Sequence, residues 1–253
     1  DVRIIQALLP LVGGFEVASI GELLKVRSVS RDVPILFGGP GKNEHELEQA
    51  IENGVYALHV ESLLELRRII YIMNKRNKGM VKADSVSSDA QQATASEPVR
   101  ILLRINLHSA SLPQTAITMG GKATPFGLDE HLLDEAMTII QQEGAGAVQL
   151  SGFHFHSLSN NHDASLHADM VELYLTRAAQ WKERYQLERL ELVNAGGGLG
   201  VSYDEATPDF DWEAFTARIA ESPAHAALPE TRLIFEPGRL IVADHGYYAA
   251  EII

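Results

Sequence analysis

Leu190-Glu191-Leu192-Val193-Asn194-Ala195-Gly196-Gly197-Gly198 joins a short apolar run to three consecutive glycines. The apolar run predicts a strand, and glycines tolerate positive φ and have no Cβ, so successive N–H groups can converge on one anion. A turn that only ends the strand is the alternative. A second run, Leu233-Ile234-Phe235, ends in Glu236-Pro237-Gly238-Arg239. Two such strand ends in succession indicate one shared anionic ligand.

Short apolar runs alternate with helical spacing along most of the chain. Because parallel strands are joined by crossover connections that are usually helices, this alternation predicts an α/β fold, a TIM-like (β/α)8 barrel. Strands are predicted at residues 14–18, 34–37, 57–60, 101–105, 147–155, 190–193 and 233–235. Helices are predicted at residues 2–11, 20–26, 44–53, 63–74, 130–142, 166–185 and 212–220.

Seven strands are predicted, one fewer than the eight of a closed (β/α) barrel. The chain opens on a helical pattern, so we expect the first strand to precede Asp1. We expect a single barrel domain over residues 1–253 with a flexible insertion at 73–97, where polar residues and alanine replace large apolar ones.

The composition of the chain argues against several kinds of partner and excludes sites that need cysteine. The net charge of −13, without a cluster of Lys or Arg, argues against nucleic acid and anionic membranes as partners. The absence of cysteine excludes disulfides and thiolate metal sites. No signal peptide or membrane-spanning pattern is visible, so we expect a cytoplasmic protein that acts on a small molecule.

In a parallel barrel, ligands bind at the carboxyl ends of the strands, where this sequence places several polar side chains. His154 and His156 are two residues apart on a strand and therefore face the same side. A metal-dependent hydrolase uses such a pair, but further ligands are not evident, so we expect no metal. The alternative for His154 is a hydrogen-bonded core residue. Arg104 lies in an apolar strand and needs a partner, and the structural alternative is a salt bridge to Glu16 or Glu22.

Four motifs occur in a fixed order: Phe15-Glu16-Val17-Ala18-Ser19-Ile20-Gly21-Glu22-Leu23, Gly152-x-His154-x-His156-x-x-Ser159, Gly196-Gly197-Gly198 and Glu236-Pro237-Gly238-Arg239. This order resembles the pyridoxal phosphate (PLP) decarboxylases of the alanine-racemase fold, fold type III, which include diaminopimelate, ornithine and arginine decarboxylases. The resemblance covers almost the whole chain. It implies decarboxylation of the α-carboxylate of a basic or diamino-type amino acid, with PLP as cofactor and a head-to-tail homodimer.

The resemblance also implies a role for each motif residue. The phosphate of PLP would be bound by Ser159, Gly196, Gly197, Gly198, Gly238 and Arg239. Glu236 would pair with the pyridine nitrogen and keep it protonated, which stabilises the carbanion left when CO₂ departs. His156 would stack on the ring, and Glu16 and Arg104 would lie near the ring and the Schiff-base lysine. Together His156, Glu236, Arg104 and Glu16 are the predicted catalytic residues.

Two parts of the family pattern are not in this sequence. The Schiff-base lysine of the family stands in a strand upstream of the position of Asp1, and its C-terminal β-domain would follow the last residue. We therefore expect that this chain alone does not turn over substrate. Leu158 stands where relatives often have glycine, which bears on the local backbone at the phosphate-binding serine.

Other functions share parts of the pattern. An amino-acid racemase would use the same barrel and cofactor, but racemases of this fold typically place arginine where Glu236 stands. A non-catalytic PLP-binding protein is the candidate from a different class. Among the decarboxylases, the Phe153-His154-Phe155-His156-Ser157-Leu158-Ser159-Asn160-Asn161 segment most resembles siderophore-pathway members, whose substrates include amines joined to citrate.

Overall fold

The structure, a computed structural model, describes residues 1–84, 97–107, 124–203, 207–247, 249 and 251, with the backbone alone at 79–84. The chain divides into two compact units, one made of Asp1–Ile105 with Pro125–Phe153 and one of Asn106–Thr124 with His154–Ile253. None of the helices in the described ranges combines the length and apolarity that a bilayer-spanning segment requires.

The first unit is a parallel sheet with helices in the connections. Its strands are β1 (Phe15–Val17), β2 (Ile35–Phe37), β3 (Ala57–Val60), β4 (Val99–Asn106), β5 (Leu128–Asp129) and β6 (Val148–His154). Its helices are α1 (Val2–Leu8), α2 (Ile20–Val29), α3 (Glu44–Glu52), α4 (Leu63–Asp84) and α5 (Leu133–Glu143). The sheet order is β1-β2-β3-β4-β6, with β5 paired to β4.

Parallel pairing in this sheet places the strand ends, and the polar residues near them, at one edge. The register sets Glu16 opposite Leu36, Phe37 opposite Leu58, and Val60 beside Leu103. Strands β2 and β3 are buried along their whole length, as expected of parallel strands covered by helices on their faces.

The second unit contains β7 (Leu192–Asn194) and β8 (Arg232–Ile234), which pair in parallel. Its helices are α6 (Ala164–Arg184), α7 (Trp212–Ala220), α8 (Pro223–Ala226) and α9 (Gly238–Val242). Phe155 is buried and stacks on Tyr174 of α6, with ring centroids 4.7 Å apart. Because side chains alternate along an extended chain, His154 and His156 point away from this helix-packed side.

A buried histidine lies in an aromatic cluster of the second unit. The His167 ring meets Phe210 and Phe215 edge-on, with centroids 5.5 Å and 5.3 Å away. Burial lowers the pKa of His167 to about 4, with a smaller contribution from His156. His167 is therefore a neutral core residue at physiological pH.

The structure has elements that the sequence patterns did not predict. The two-residue strand β5 and the short helices α8 and α9 were not predicted, because so few residues show no periodicity. Helix α4 was predicted to end at residue 74 but continues to Asp84. Lys75 and Arg76 lie on its solvated side, within 3.7 Å and 3.8 Å of glutamates of α3. Residues 73–84 of the predicted insertion are thus helical, and 85–96 lie outside the described residues.

Candidate functional site

The glycine turn after β7 is shaped by close backbone contacts in the second unit. Gly196 and Gly198 have φ values of +70° and +84°, which favour glycine. A Cβ on Gly196 would come within 2.5 Å of the Phe155 carbonyl oxygen, and one on Gly198 within 2.2 Å of the Leu158 oxygen. A Cβ on Gly197 would meet the Glu236 carbonyl oxygen at 2.3 Å. The absence of side chains thus lets three other segments approach the turn.

These three segments carry the other predicted residues of the second unit. The segment against Gly196 leads into His156, the one against Gly197 is Glu236 itself, and the one against Gly198 leads into Ser159. The Gly198 N–H has no hydrogen-bond partner among the described residues. A bare turn with an available N–H fits an anionic oxygen.

The Glu236 carboxylate is held by residues on two sides. The Asn194 side-chain amide donates a hydrogen bond of 2.5 Å to Oε1, and His154 Nε2 lies 3.3 Å from the same oxygen. His154 is buried, as the core alternative predicted, but it also faces the predicted catalytic carboxylate.

His156 stands between the glycine turn and Glu236. Its Nδ1 accepts a hydrogen bond of 3.3 Å from the Gly197 N–H and lies 3.9 Å from Glu236 Oε2. Accepting at Nδ1 leaves the ring proton on Nε2. The side chain is 26% exposed, so part of it remains accessible.

Arg239 contacts the segment that carries Ser159 rather than Glu236. Its guanidinium donates to Asn160 Oδ1 over 3.2 Å, next to Ser159. A Cβ on Gly238 would meet nothing within 4 Å. This end of the second unit thus combines a hydroxyl, a guanidinium and open space at a glycine, a donor set suited to a phosphate.

Arg104 has a buried partner in the first unit, and the partner is Glu61 rather than Glu16 or Glu22. Arg104 Nη1 lies 3.2 Å from Glu61 Oε2, and its guanidinium lies over the Phe126 ring at 4.9 Å. The same Glu61 oxygen accepts the Gly127 N–H at 3.1 Å. Glu22 instead accepts the Ala18 N–H and helps to cap α2.

Glu16 of β1 faces a buried histidine of β3, His59. Its Oε1 lies 3.6 Å from His59 Nδ1, and the Glu16 side chain is 25% exposed. A Cβ on Gly38 would come within 2.8 Å of that oxygen, so glycine makes room for the pair. Glu16 is therefore oriented within the first unit while part of its side chain stays accessible.

Lys42 is committed to a buried ion pair. Its Nζ lies 2.9 Å from Glu65 Oε1 and donates to the Gly39 carbonyl. Burial raises the pKa of Glu65 to about 7, and Lys42 opposes this shift. None of Lys25, Lys42 and Lys122 stands at the sequence position of the family's Schiff-base lysine, and the Lys42 amine is engaged in this pair. Lys25 is exposed, and Lys122 lies outside the described residues.

The structure brings together, in the second unit, eight of the ten predicted site residues: His156, Ser159, Gly196, Gly197, Gly198, Glu236, Gly238 and Arg239. Glu16 and Arg104 belong to the first unit. Asn194 and Glu61 contact the predicted residues, although no sequence motif indicated a role for either. Asn194 borders the glycines, and a polar residue at the end of a buried strand was the available signal.

Comparison with known proteins identifies the class of protein. The model of the family "Pyridoxal-dependent decarboxylase, pyridoxal binding domain" matches residues 1–243. The chain belongs to this family. The match confirms the resemblance stated from the motifs, the α/β class and the predicted cofactor, PLP.

Two relatives show which kinds of decarboxylase this chain is similar to. The chain is 37% identical over 254 residues to a 2-[(L-alanin-3-ylcarbamoyl)methyl]-2-hydroxybutanedioate decarboxylase of Staphylococcus aureus, covering 99% of this chain and 57% of the relative. It is 30% identical to the L-glutamyl-[BtrI acyl-carrier protein] decarboxylase of Niallia circulans, covering 95% of this chain and 52% of that protein. The chain thus spans about half the length of these relatives.

Solved structures show the same fold. Diaminopimelate decarboxylase of M. jannaschii matches with a TM-score of 0.77 and 25% identity, over 96% of this chain and 52% of that chain. The Helicobacter pylori enzyme complexed with L-lysine matches with a TM-score of 0.75 and 25% identity, over 95% and 55%. Both are consistent with the barrel domain predicted from the strand pattern.

Proposed function

We propose that the complete protein is a PLP-dependent decarboxylase that removes the α-carboxylate of an amino acid as CO₂. The observation that carries this proposal is the position of Glu236, a carboxylate held by Asn194 beside both His156 and the glycine turn. The donor set fits the cofactor, since a bare turn, a hydroxyl and a guanidinium suit its phosphate and a carboxylate suits its ring nitrogen.

In this proposal, the residues of the second unit bind different parts of the cofactor. Gly196, Gly197, Gly198, Gly238, Ser159 and Arg239 would hold the phosphate. Glu236 would hold a proton at the ring nitrogen, and His156 would lie against the ring face. When bound, PLP withdraws electrons from the bond to the departing carboxylate. Glu16 and Arg104 stay predicted catalytic residues, each oriented by a partner, His59 or Glu61.

A carboxylate at the ring nitrogen separates this proposal from the racemase alternative. Glu236 can hold a proton on the ring nitrogen, whereas the arginine typical of racemases can only donate. To test the assignment, the complete protein is incubated with one enantiomer of an amino acid. The products are then analysed for chirality and for released CO₂. We expect CO₂ and an amine. Formation of the opposite enantiomer without CO₂ would contradict the proposal.

For the substrate, we propose an amino acid joined through an amide to a hydroxy polycarboxylate such as citrate. The support is the likeness to the Staphylococcus aureus enzyme, whose name describes such a conjugate, together with the motif wording around His156. The complete enzyme should release CO₂ from the conjugate faster than from ornithine, lysine or diaminopimelate. Equal or preferential use of the free amino acids would rule out this choice.

The proposal also includes assembly and location. A homodimer is proposed from the family resemblance, and a cytoplasmic location stays a prediction. The charge of −13 opposes association with nucleic acid or anionic membranes. Analytical ultracentrifugation of the complete protein tests the assembly. A sedimenting species of twice the chain mass is expected, and a monomer at micromolar concentration would count against it.

A further inference from the structure

Asn194 is a fully buried amide that touches two parts of the candidate site at once. Its side-chain nitrogen donates to Glu236 Oε1 at 2.5 Å, and its side-chain oxygen accepts the Gly196 N–H at 2.9 Å. Its backbone oxygen accepts the Phe155 N–H at 2.8 Å. One residue therefore contacts the carboxylate, the glycine turn and the segment that leads to His156.

The carboxamide is the group whose chemistry fits this position. It offers a donor to the carboxylate and an acceptor to the turn without adding a charge. An aspartate would keep the acceptor for Gly196 but would set a second acceptor against Glu236, so the two acids would have to share a proton. An apolar residue would leave both the carboxylate and the Gly196 N–H without this partner.

We propose that Asn194 is a positioning residue that couples the phosphate-binding turn to the carboxylate facing the cofactor ring. The inference rests on the proposed function, because it takes Glu236 as the partner of the ring nitrogen. In this proposal Asn194 acts through Glu236 and the glycine turn rather than through a contact with the cofactor. It fixes the rotation of the Glu236 carboxylate relative to the turn, so that phosphate and ring nitrogen are bound in one geometry.

The first test is Asn194→Asp in the complete protein, with PLP affinity measured by equilibrium dialysis at about pH 8 and about pH 6. A hydrogen bond to a charged group contributes about 1.5–3 kcal/mol, so we expect affinity to fall about 10- to 100-fold at the higher pH. At the lower pH, a shared proton restores the donor and the ratio to wild type recovers. His154 and His156 also face this carboxylate, so the same ratio is measured for Asn74→Asp, the same change at an exposed helix position.

The second test reverses the polarity of the contact. In the double variant Asn194→Asp with Glu236→Gln, the new amide can donate to the new carboxylate, which restores the hydrogen bond but removes the charge at the ring nitrogen. We expect it to bind PLP more tightly than Asn194→Asp alone, while CO₂ release stays low. Should Asn194→Asp fail to fold, the double variant decides, and loss of folding in both overturns a positioning role.

Some results would overturn the role of Asn194, and another would instead contradict the proposed function. Wild-type PLP affinity for Asn194→Asp at both pH values would overturn the inference, as would an equal loss at both with no recovery in the double variant. Failure of the wild-type complete protein to bind PLP would instead refute the proposed function, whatever Asn194 does.

Discussion

His167 makes the folded protein sensitive to acid, because its imidazole is buried as the neutral form. The ring lies edge-on to Phe210 and Phe215, and burial lowers its pKa from 6.5 to about 4. Between these pH values the unfolded chain binds a proton that the folded chain does not. Stability from this group is therefore present above about pH 6.5 and is lost as pH falls toward 4.

The magnitude follows from the two pKa values. One pKa unit corresponds to about 1.4 kcal/mol, so lowering the pH from about 7.5 to about 4.5 should cost the second unit about 2.5 kcal/mol of unfolding free energy through His167. Glu65 acts in the opposite direction. Burial raises its pKa from 4.5 to about 7, so the stability linked to it is lost as pH rises through 7. A single pH profile of the wild type would mix both effects.

The assay is therefore a difference between variants. Both tryptophans, Trp181 and Trp212, belong to the second unit, so urea unfolding followed by intrinsic fluorescence reports on that unit. The stability advantage of wild type over His167→Phe should shrink by about 2.5 kcal/mol across this pH range. His245→Phe, the same change at an exposed histidine of the same unit, should show no such trend.

A nuclear magnetic resonance titration of the His167 ring checks the cause directly. We expect its ring protons to keep the chemical shifts of the neutral form down to about pH 5. A midpoint near 6.5, or a stability difference that does not change with pH, would refute the reasoning from burial.

Two further predictions concern the glycines of the second unit and the buried ion pair of the first unit. Gly198→Ala should destabilise the second unit by about 1–3 kcal/mol and abolish PLP binding. The reason is that the new Cβ would come within 2.2 Å of a carbonyl oxygen, at a φ of +84° that disfavours alanine. Gly238→Ala, where a Cβ has open space, should leave urea stability unchanged while weakening PLP affinity, and equal behaviour of the two variants would contradict this. Glu61→Gln should lower the unfolding free energy by about 3 kcal/mol, because it removes the charged partner of Arg104. The matched change at exposed Glu135 should cost less than about 1 kcal/mol, and similar losses in both would argue against a structural role of the buried pair.

Much of the fold could be read from local periodicity. Helix α7 has the predicted bounds, and strands β2, β3 and β8 differ from prediction by at most one residue at each end. Helix α4 is longer than predicted: Leu66, Ile69, Ile70 and Met73 form one buried stripe, and the basic residues that follow are its solvated side. The helix was predicted to end at residue 74 because composition does not reveal which side of a helix is covered.

The sequence by itself determined which motifs occur and in what order, because a glycine run, a His-x-His and a strand-end carboxylate are visible without neighbours. From these it predicted the family and the cofactor, which the comparisons confirm. Only the tertiary structure decided which side chains meet. Arg104 pairs with Glu61, and Glu236 with Asn194, across 43 and 42 residues of sequence. Such pairs depend on how separate strands pack side by side, and no local pattern encodes that contact.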